Sequence, residues 1–279
     1  MNLQHKHVVI TGGSKGIGAA IARELFRHQA KLTLIARQSH ELDSMAAELG
    51  AAALATDLSD IAQHANLIAR AEEMNGPVDV LINNAGIGHT RHYATLSAND
   101  VSSTVVTNLL APMELSRQVL IGMLSRNSGA IVNISSVTGE MAVPGCTAYA
   151  STKAGLAMFS LNVQRDIRDT NVNVSVVVVG AVPGTQIYNE GVKSEVVKKL
   201  AAQLGSVSSL TPEKVAQGIV KSVIADYRGA FGLPWSSALP MAIRLLPVKL
   251  GDLVFSRGKP PFDPMLAGLL DQHRAVSGE

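Results

Sequence analysis

Aromatic residues are scarce in this 279-residue chain, at 4%, with one tryptophan and one cysteine. An interior with so few rings has to be built from aliphatics and alanine, and a hydrophobic fraction of 47% supplies enough of them for a substantial core. The lone cysteine, Cys146, excludes an intramolecular disulfide and a cysteine-rich metal site, and no metal site is expected. Charge is also sparse. Only 16% of residues are charged, and a net charge of +2 is too small to argue for nucleic acid or a strongly anionic surface. No uninterrupted apolar run reaches the roughly 18 residues of a membrane-spanning helix. The N-terminal residues Met1–His7 enter a strand-like run without an apolar signal region, so a cytoplasmic location is the expectation. At this length one large α/β domain is favoured over two.

Strand-like and helix-like stretches alternate along the chain. His7–Thr11, Lys31–Ala36, Ala51–Thr56 and Val78–Ile82 read as strands. Between them the spacing predicts helices from Ala19 to His28, from a Ser39 cap to Leu49, and from Asp60 to Asn75, where Gly76-Pro77 breaks the pattern. A long helix is predicted over Ser97–Arg126, interrupted at most by Pro112. Ala130–Ile134 and Asn173–Val179 are further strands, separated by a helix running to about Asp169. Helices are expected over Ser194–Leu204 and from Thr211-Pro212-Glu213 to about Asp226, with a last short strand at Gly229–Gly232. Strands apolar throughout, alternating with helices, imply a doubly wound α/β domain around a parallel sheet.

The first strand runs into Gly12-Gly13-Ser14-Lys15-Gly16-Ile17-Gly18 and then a helix. Glycines at positions 12, 16 and 18 permit a tight turn and let backbone approach a pyrophosphate at the positive end of the helix. That context points to a dinucleotide site. An acid at the end of the second strand would hydrogen-bond a ribose 2′-hydroxyl, whereas an arginine accommodates a 2′-phosphate. Here Ala36-Arg37 stands at that place with no acid, and Lys15 adds a second cation, which favours NADP(H) over the plainer reading of two solvated charges. Asn83-Asn84-Ala85-Gly86 follows the fourth strand, at the carboxyl edge where such sheets bind ligands.

Tyr149 and Lys153 are four residues apart, so on a helix both lie on one face. A free tyrosine loses its proton near pH ~10, and an ammonium one turn away lowers that value toward the working range. Ser136 precedes Tyr149 by thirteen residues, at the end of a strand, where its hydroxyl can bond the oxygen of a carbonyl or alcohol. This is proton-transfer equipment for a C–O centre.

Taken in order, Thr11–Gly18, Asp57, Asn83–Gly86, Asn108, Ser136 and Tyr149-x-x-x-Lys153 resemble the motifs of the short-chain dehydrogenase/reductase family, over about residues 5–235. The resemblance implies a seven-stranded sheet, with Tyr149 as general acid/base and Ser136 holding the reacting oxygen. It implies that Lys153 lowers the tyrosine pKa and bonds the nicotinamide ribose, and that Asn108 supports a water in a proton relay. Ser14, Lys15 and Ile17 join the loop glycines as cofactor contacts. Asp57 and Leu58 are placed beside the adenine, and Asn84, Ala85 and Gly86 along the adenosine and nicotinamide-ribose side. Ser136 is preferred to Ser135 on its spacing, and Ser135 is expected to bond within the sheet edge. One motif departs: Val179-Gly180 occupies the place of the family's Pro-Gly, and Pro183-Gly184-Thr185 follows three residues later. Either glycine can be the family's, so Thr185 is a candidate carboxamide contact, with the capping of the next helix as its alternative role.

The function implied is a ketone/secondary alcohol oxidoreductase, with a non-catalytic NADP(H)-sensing protein of the same fold as the alternative. Apolar residues of a lid at about 185–210 (Ile187, Tyr188, Val192, Val196, Val197, Leu200, Leu204), with Met141, Val143 and Cys146, favour a steroid-like, fatty-acyl or aromatic substrate. His89, Arg91 and His92 read as surface residues. The catalytic domain is taken to end at 235. The extension 236–279 is expected to pack over the pocket or a neighbouring subunit rather than bind a membrane surface. A homodimer or homotetramer is implied by resemblance.

Overall fold

A computed structural model describes residues 1–193, 198 and 210–234. The β-branched runs pair as one parallel sheet built from β1 (His7–Thr11), β2 (Lys31–Ala36), β3 (Ala52–Ala55), β4 (Val80–Asn83), β5 (Gly129–Ser136), β6 (Val172–Val179) and β7 (Gly229–Leu233). Their order is β3-β2-β1-β4-β5-β6-β7. Side chains alternate across the sheet, so the strands feed two cores. Val8 and Ile10 of β1 join one with α1 (Gly16–Arg27), α2 (His40–Leu49) and α8 (Pro212–Ile224). Val9 joins the other with α3 (Leu67–Asn75) and α5 (Ala111–Ser125). Every residue of β6 is buried, which is why its valine run carries no alternation. The sheet is thus doubly wound, as predicted. The chain winds outward from β1 to β3 and then resumes at β4 on the other side of β1, which opens a crevice at the carboxyl ends of β1 and β4.

Several elements depart from their predicted bounds. The helix predicted over Asp60–Asn75 divides: Asp60 caps a 3₁₀ turn at Ile61–His64, and Asn66, with φ of 54°, precedes α3. The long helix stays continuous but widens into a π-helical turn at Val106–Leu110, between α4 (Ala98–Val105) and α5. Pro112 has no N–H to return to the carbonyl of Asn108, so an ordinary α-turn cannot close there. The helix α6 (Thr147–Asp166) carries the Tyr149 segment, and a short helix, α7 (Gln186–Gly191), follows β6 with Thr185 as its cap. Apart from Lys198, the predicted helix Ser194–Leu204, the distal lid and the extension 236–279 lie outside the described residues. Among the described residues no helix is long and apolar enough to cross a membrane.

Candidate active site

The turn after β1 takes positive φ at Gly12 (66°) and Gly16 (54°), a region that L side chains rarely adopt. Gly18 is required for a different reason. A Cβ there would sit 2.1 Å from the Gly12 carbonyl oxygen and 2.6 Å from Asn84 Nδ2. Asn84 Nδ2 donates to the carbonyls of Thr11 (3.0 Å) and Gly12 (3.2 Å), while Thr11 Oγ1 accepts from the backbone N–H groups of Asn84 and Ala85. Asn84 therefore ties the β4 turn to the glycine turn rather than only lining a groove. Lys15, the N-cap of α1, offers no side-chain cap, and the first turn holds no acid. The positive end of α1 is left for an anion, and the close approach at Gly18 gives the turn a cradle that any side chain would fill, so the residues fit a dinucleotide phosphate.

Beyond β2, Arg37 is exposed, and no acid stands at the strand end. The Lys15 ammonium pairs with Glu41 Oε1 at 2.7 Å, and this contact above all holds the Glu41 carboxyl down at about 2. In the sequence alone Glu41 reads as an ordinary acid in the first turn of α2. Asp57 accepts from the backbone N–H and hydroxyl of Ser59 at 2.9 and 2.7 Å, which keeps its carboxyl below its ordinary range, with a smaller contribution from Arg37. Leu58 is buried beside it.

Tyr149, Lys153 and Ser136 line the same cleft of about 990 Å³ as Gly12, Ser14, Gly16, Ile17, Arg37, Asp57, Ala85, Gly86 and Thr185. Ser136 Oγ accepts from the N–H (3.3 Å) and hydroxyl (3.1 Å) of Thr138, which leaves its own proton to donate. Burial pushes the Tyr149 phenol up to about 12, and the Ser136 hydroxyl pulls it the other way. Lys153 is 3% exposed, and burial lowers its ammonium to about 8. Its Nζ donates to the Ile134 carbonyl at 2.8 Å and lies 5.7 Å from the centroid of the Tyr149 ring. The expected depression of the tyrosine by the lysine is therefore not seen in the chain itself. The ammonium faces a strand carbonyl and the ring, and desolvation is the largest influence on the phenol. Asn108 is fully buried in the π-turn, where Oδ1 accepts from Ile87 N–H and Nδ2 donates to Ile87 O, both at 2.8 Å. Ser135 bonds the Lys153 carbonyl of α6 (2.9 Å), not the sheet edge.

Thr185 accepts from Tyr188 N–H as the cap of α7 and donates to Val182 O. Its methyl lies 3.7 Å from where a Gly16 Cβ would stand, so the Pro183-Gly184-Thr185 turn, with Gly184 at φ of 83°, overhangs the glycine loop. Gly180 instead donates its N–H to Leu233 O in the sheet. Val143, Cys146, Ile187, Tyr188 and Val192 line the cleft, whereas Met141 faces a separate shallow recess. His89 is a wall of the cleft rather than plain surface, and Arg91 is ion-paired with Asp100. Gly88, which spacing could not reveal, lies so close to the Tyr149 ring that a Cβ would approach it to 3.1 Å.

A family model for short chain dehydrogenase matches residues 6–196. The ketoacyl reductase HetN of Nostoc sp. (strain PCC 7120) is 36% identical over 226 residues, 79% of this chain and 76% of that protein. The 3-ketodihydrosphingosine reductase of Bos taurus is 33% identical over 230 residues, 78% and 68% of the two chains. A solved short chain dehydrogenase/reductase family protein matches with a TM-score of 0.70 at 26% identity, covering 83% of this chain and 97% of that one. The chain belongs to the short-chain dehydrogenase/reductase family. It is accordingly an oxidoreductase of carbonyl and alcohol groups that uses a nicotinamide dinucleotide.

Proposed function

We propose that this protein is an NADP(H)-dependent reductase that interconverts a ketone and a secondary alcohol on an apolar, acyl-chain substrate. The observation that carries this reading is the convergence of Tyr149, Ser136 and Lys153 in the cleft that also contains the glycine turn. Arg37, with no acid at the end of β2, supports the phosphorylated cofactor. The aliphatic wall of Val143, Ile187 and Val192 supports an apolar substrate, and two relatives are named for reduction of ketoacyl and 3-ketodihydrosphingosine substrates.

When bound, the reduced nicotinamide supplies a hydride to the carbonyl carbon. Ser136, whose oxygen is already an acceptor twice over, directs its proton at the substrate oxygen. Tyr149 is protonated throughout the physiological range and gives its proton to the same oxygen as negative charge develops there. The Lys153 ammonium then stands one helical turn away to stabilise the phenolate left behind. The phenolate regains its proton from the Lys153 ammonium, and Asn108, clamped by Ile87, is the fixed polar group through which a water can reprotonate the lysine. Arg37, Asp57 and Leu58 hold the adenosine end, and Ala85, Gly86 and Thr185 the nicotinamide end.

Purified protein with NADPH and a series of 3-ketoacyl substrates should oxidise the cofactor, read as loss of its near-ultraviolet absorbance. Tyr149→Phe should lower kcat by at least about 10³-fold, the upper range for one positioned acid/base, while NADPH binding stays within twofold by roughly the additivity expected of distant groups. Near-wild-type turnover in that variant removes Tyr149 from its role. Cofactor binding by the wild type without turnover on any ketone favours the sensing alternative.

A further inference from the structure

The adenosine end of the cleft holds two cations in unequal states. Arg37 makes no ion pair within 4 Å among the described residues, whereas Lys15 is already engaged by Glu41 at 2.7 Å. Glu41 stands in the first turn of α2, where its own backbone N–H and the Ser39 side chain also favour its ionised form. Lys15, Arg37, Gln38 and Ser39 all line the cleft, and Glu41 reaches it through its ion pair with Lys15. A phosphate on the adenosine ribose carries about −1.5 to −2 charges at neutral pH. To reach Lys15 it has to displace a carboxylate of the same sign as itself, and it then feels that carboxylate nearby. A ribose bearing a free hydroxyl faces neither penalty.

Resting on the NADP(H) reading and going beyond it, we propose that Glu41 is a specificity-determining residue. Through its ion pair with Lys15 it competes with the 2′-phosphate, holding the preference for NADPH over NADH below what Arg37 and Lys15 would otherwise confer. Both partners are about half exposed (60% and 48%), so the pair exchanges readily and the effect is a moderate one.

The test is isothermal titration calorimetry with NADPH, NADH, 2′,5′-ADP and 5′-ADP on the wild type, Glu41→Gln, Lys15→Met and the double variant, with each fold checked by thermal melting. Glu41→Gln should tighten the two 2′-phosphorylated ligands roughly threefold to tenfold, as the loss of one exposed competitor and its repulsion allows. The two ligands without that phosphate should change less than about twofold. In the Lys15→Met background most of the gain should vanish, because the competition runs through Lys15. An unchanged or lowered NADPH-to-NADH affinity ratio in Glu41→Gln overturns the proposal, as does a gain of equal size without Lys15. A wild type that prefers NADH overturns the cofactor reading instead, and the shift of the ratio in Glu41→Gln still judges Glu41.

Discussion

Tyr149 and Lys153 respond to burial in opposite directions: the phenol rises to about 12 and the ammonium falls to about 8, because each loses water that favoured its charged form. The lysine has no carboxylate within 4 Å among the described residues, only the Ile134 carbonyl, so its charge costs stability. Its folded value lies below the ordinary 10.5, so the cost is fully present below pH 8 and is relieved as the pH rises toward 10.5. The gap corresponds to on the order of 3 kcal/mol, partly offset in a methionine variant by about 1 kcal/mol for the lost hydrogen bond. Lys153→Met should therefore lack activity yet melt a few degrees above wild type at pH 7, with the advantage shrinking toward pH 10. A lower melting temperature at pH 7 sinks this account of the lysine. At this scale the sequence was informative wherever spacing acts locally. The four-residue step from Tyr149 to Lys153 and the thirteen from Ser136 do bring the three into one cleft. Gly88 against the tyrosine ring and Glu41 against Lys15 were not legible, since both contacts join segments that only the fold brings together.

The strand–turn–helix unit β1–α1 shows what an element needs beyond its pattern. Apolar spacing predicts the helix start at Ala19, but α1 begins at Gly16: its first turn packs directly against Asn84 and the Gly12 carbonyl, a place open only to glycine, whose low helix propensity masks the start. The same dependence on neighbours hid the π-turn: no periodicity distinguishes it, and Pro112 alone signalled an interruption. The extra 3₁₀ turn at Ile61–His64 is held by His64, whose ring nitrogen bonds Leu58 O six residues back, a side-chain-to-backbone contact that apolar periodicity does not register. Replacement of Gly18 should be severe. The nearest atom to a Cβ is backbone at 2.1 Å, so Gly18→Ala must push α1 off the sheet and cost roughly 1–3 kcal/mol or more, with loss of cofactor affinity. Gly50, the left-handed cap of α2 at φ of 58°, has nothing within 4 Å of its Cβ position. Gly50→Ala should cost about 1 kcal/mol of backbone strain and leave cofactor affinity unchanged. Thermal melts and NADPH titrations of the pair decide it, and a Gly18→Ala protein indistinguishable from wild type would refute the close-packing argument.

Across the whole molecule, the sheet is sealed at the end opposite the cleft by polar groups as well as by aliphatics. His7, at the start of β1, is 1% exposed. Its Nδ1 lies 2.7 Å from Gly76 O and so carries the proton, and Nε2 accepts from the Thr33 hydroxyl at 2.8 Å. Thr33 also receives Asn75 Nδ2, which links β1, β2 and the end of α3 through one neutral ring. In the sequence His7 reads only as the first residue of a strand, because nothing local marks a histidine that closes a polar network between layers. Protonation would aim a second N–H at a hydroxyl already accepting from Asn75. Burial accordingly lowers the His7 pKa from 6.5, although Asp79 and Glu72 favour the charged ring, and Lys31 opposes it. With the folded value below the unfolded one, the unfolded chain takes up a proton first as the pH falls. Stability is intact above about 6.5 and declines below it, at up to about 1.4 kcal/mol per pH unit for one proton. Urea unfolding between pH 7 and 5 should show that slope reduced in His7→Gln, and the ring resonances of His7 should titrate with a midpoint below 6.5. A midpoint at or above that value means that the carboxylates, not burial, govern this end of the sheet.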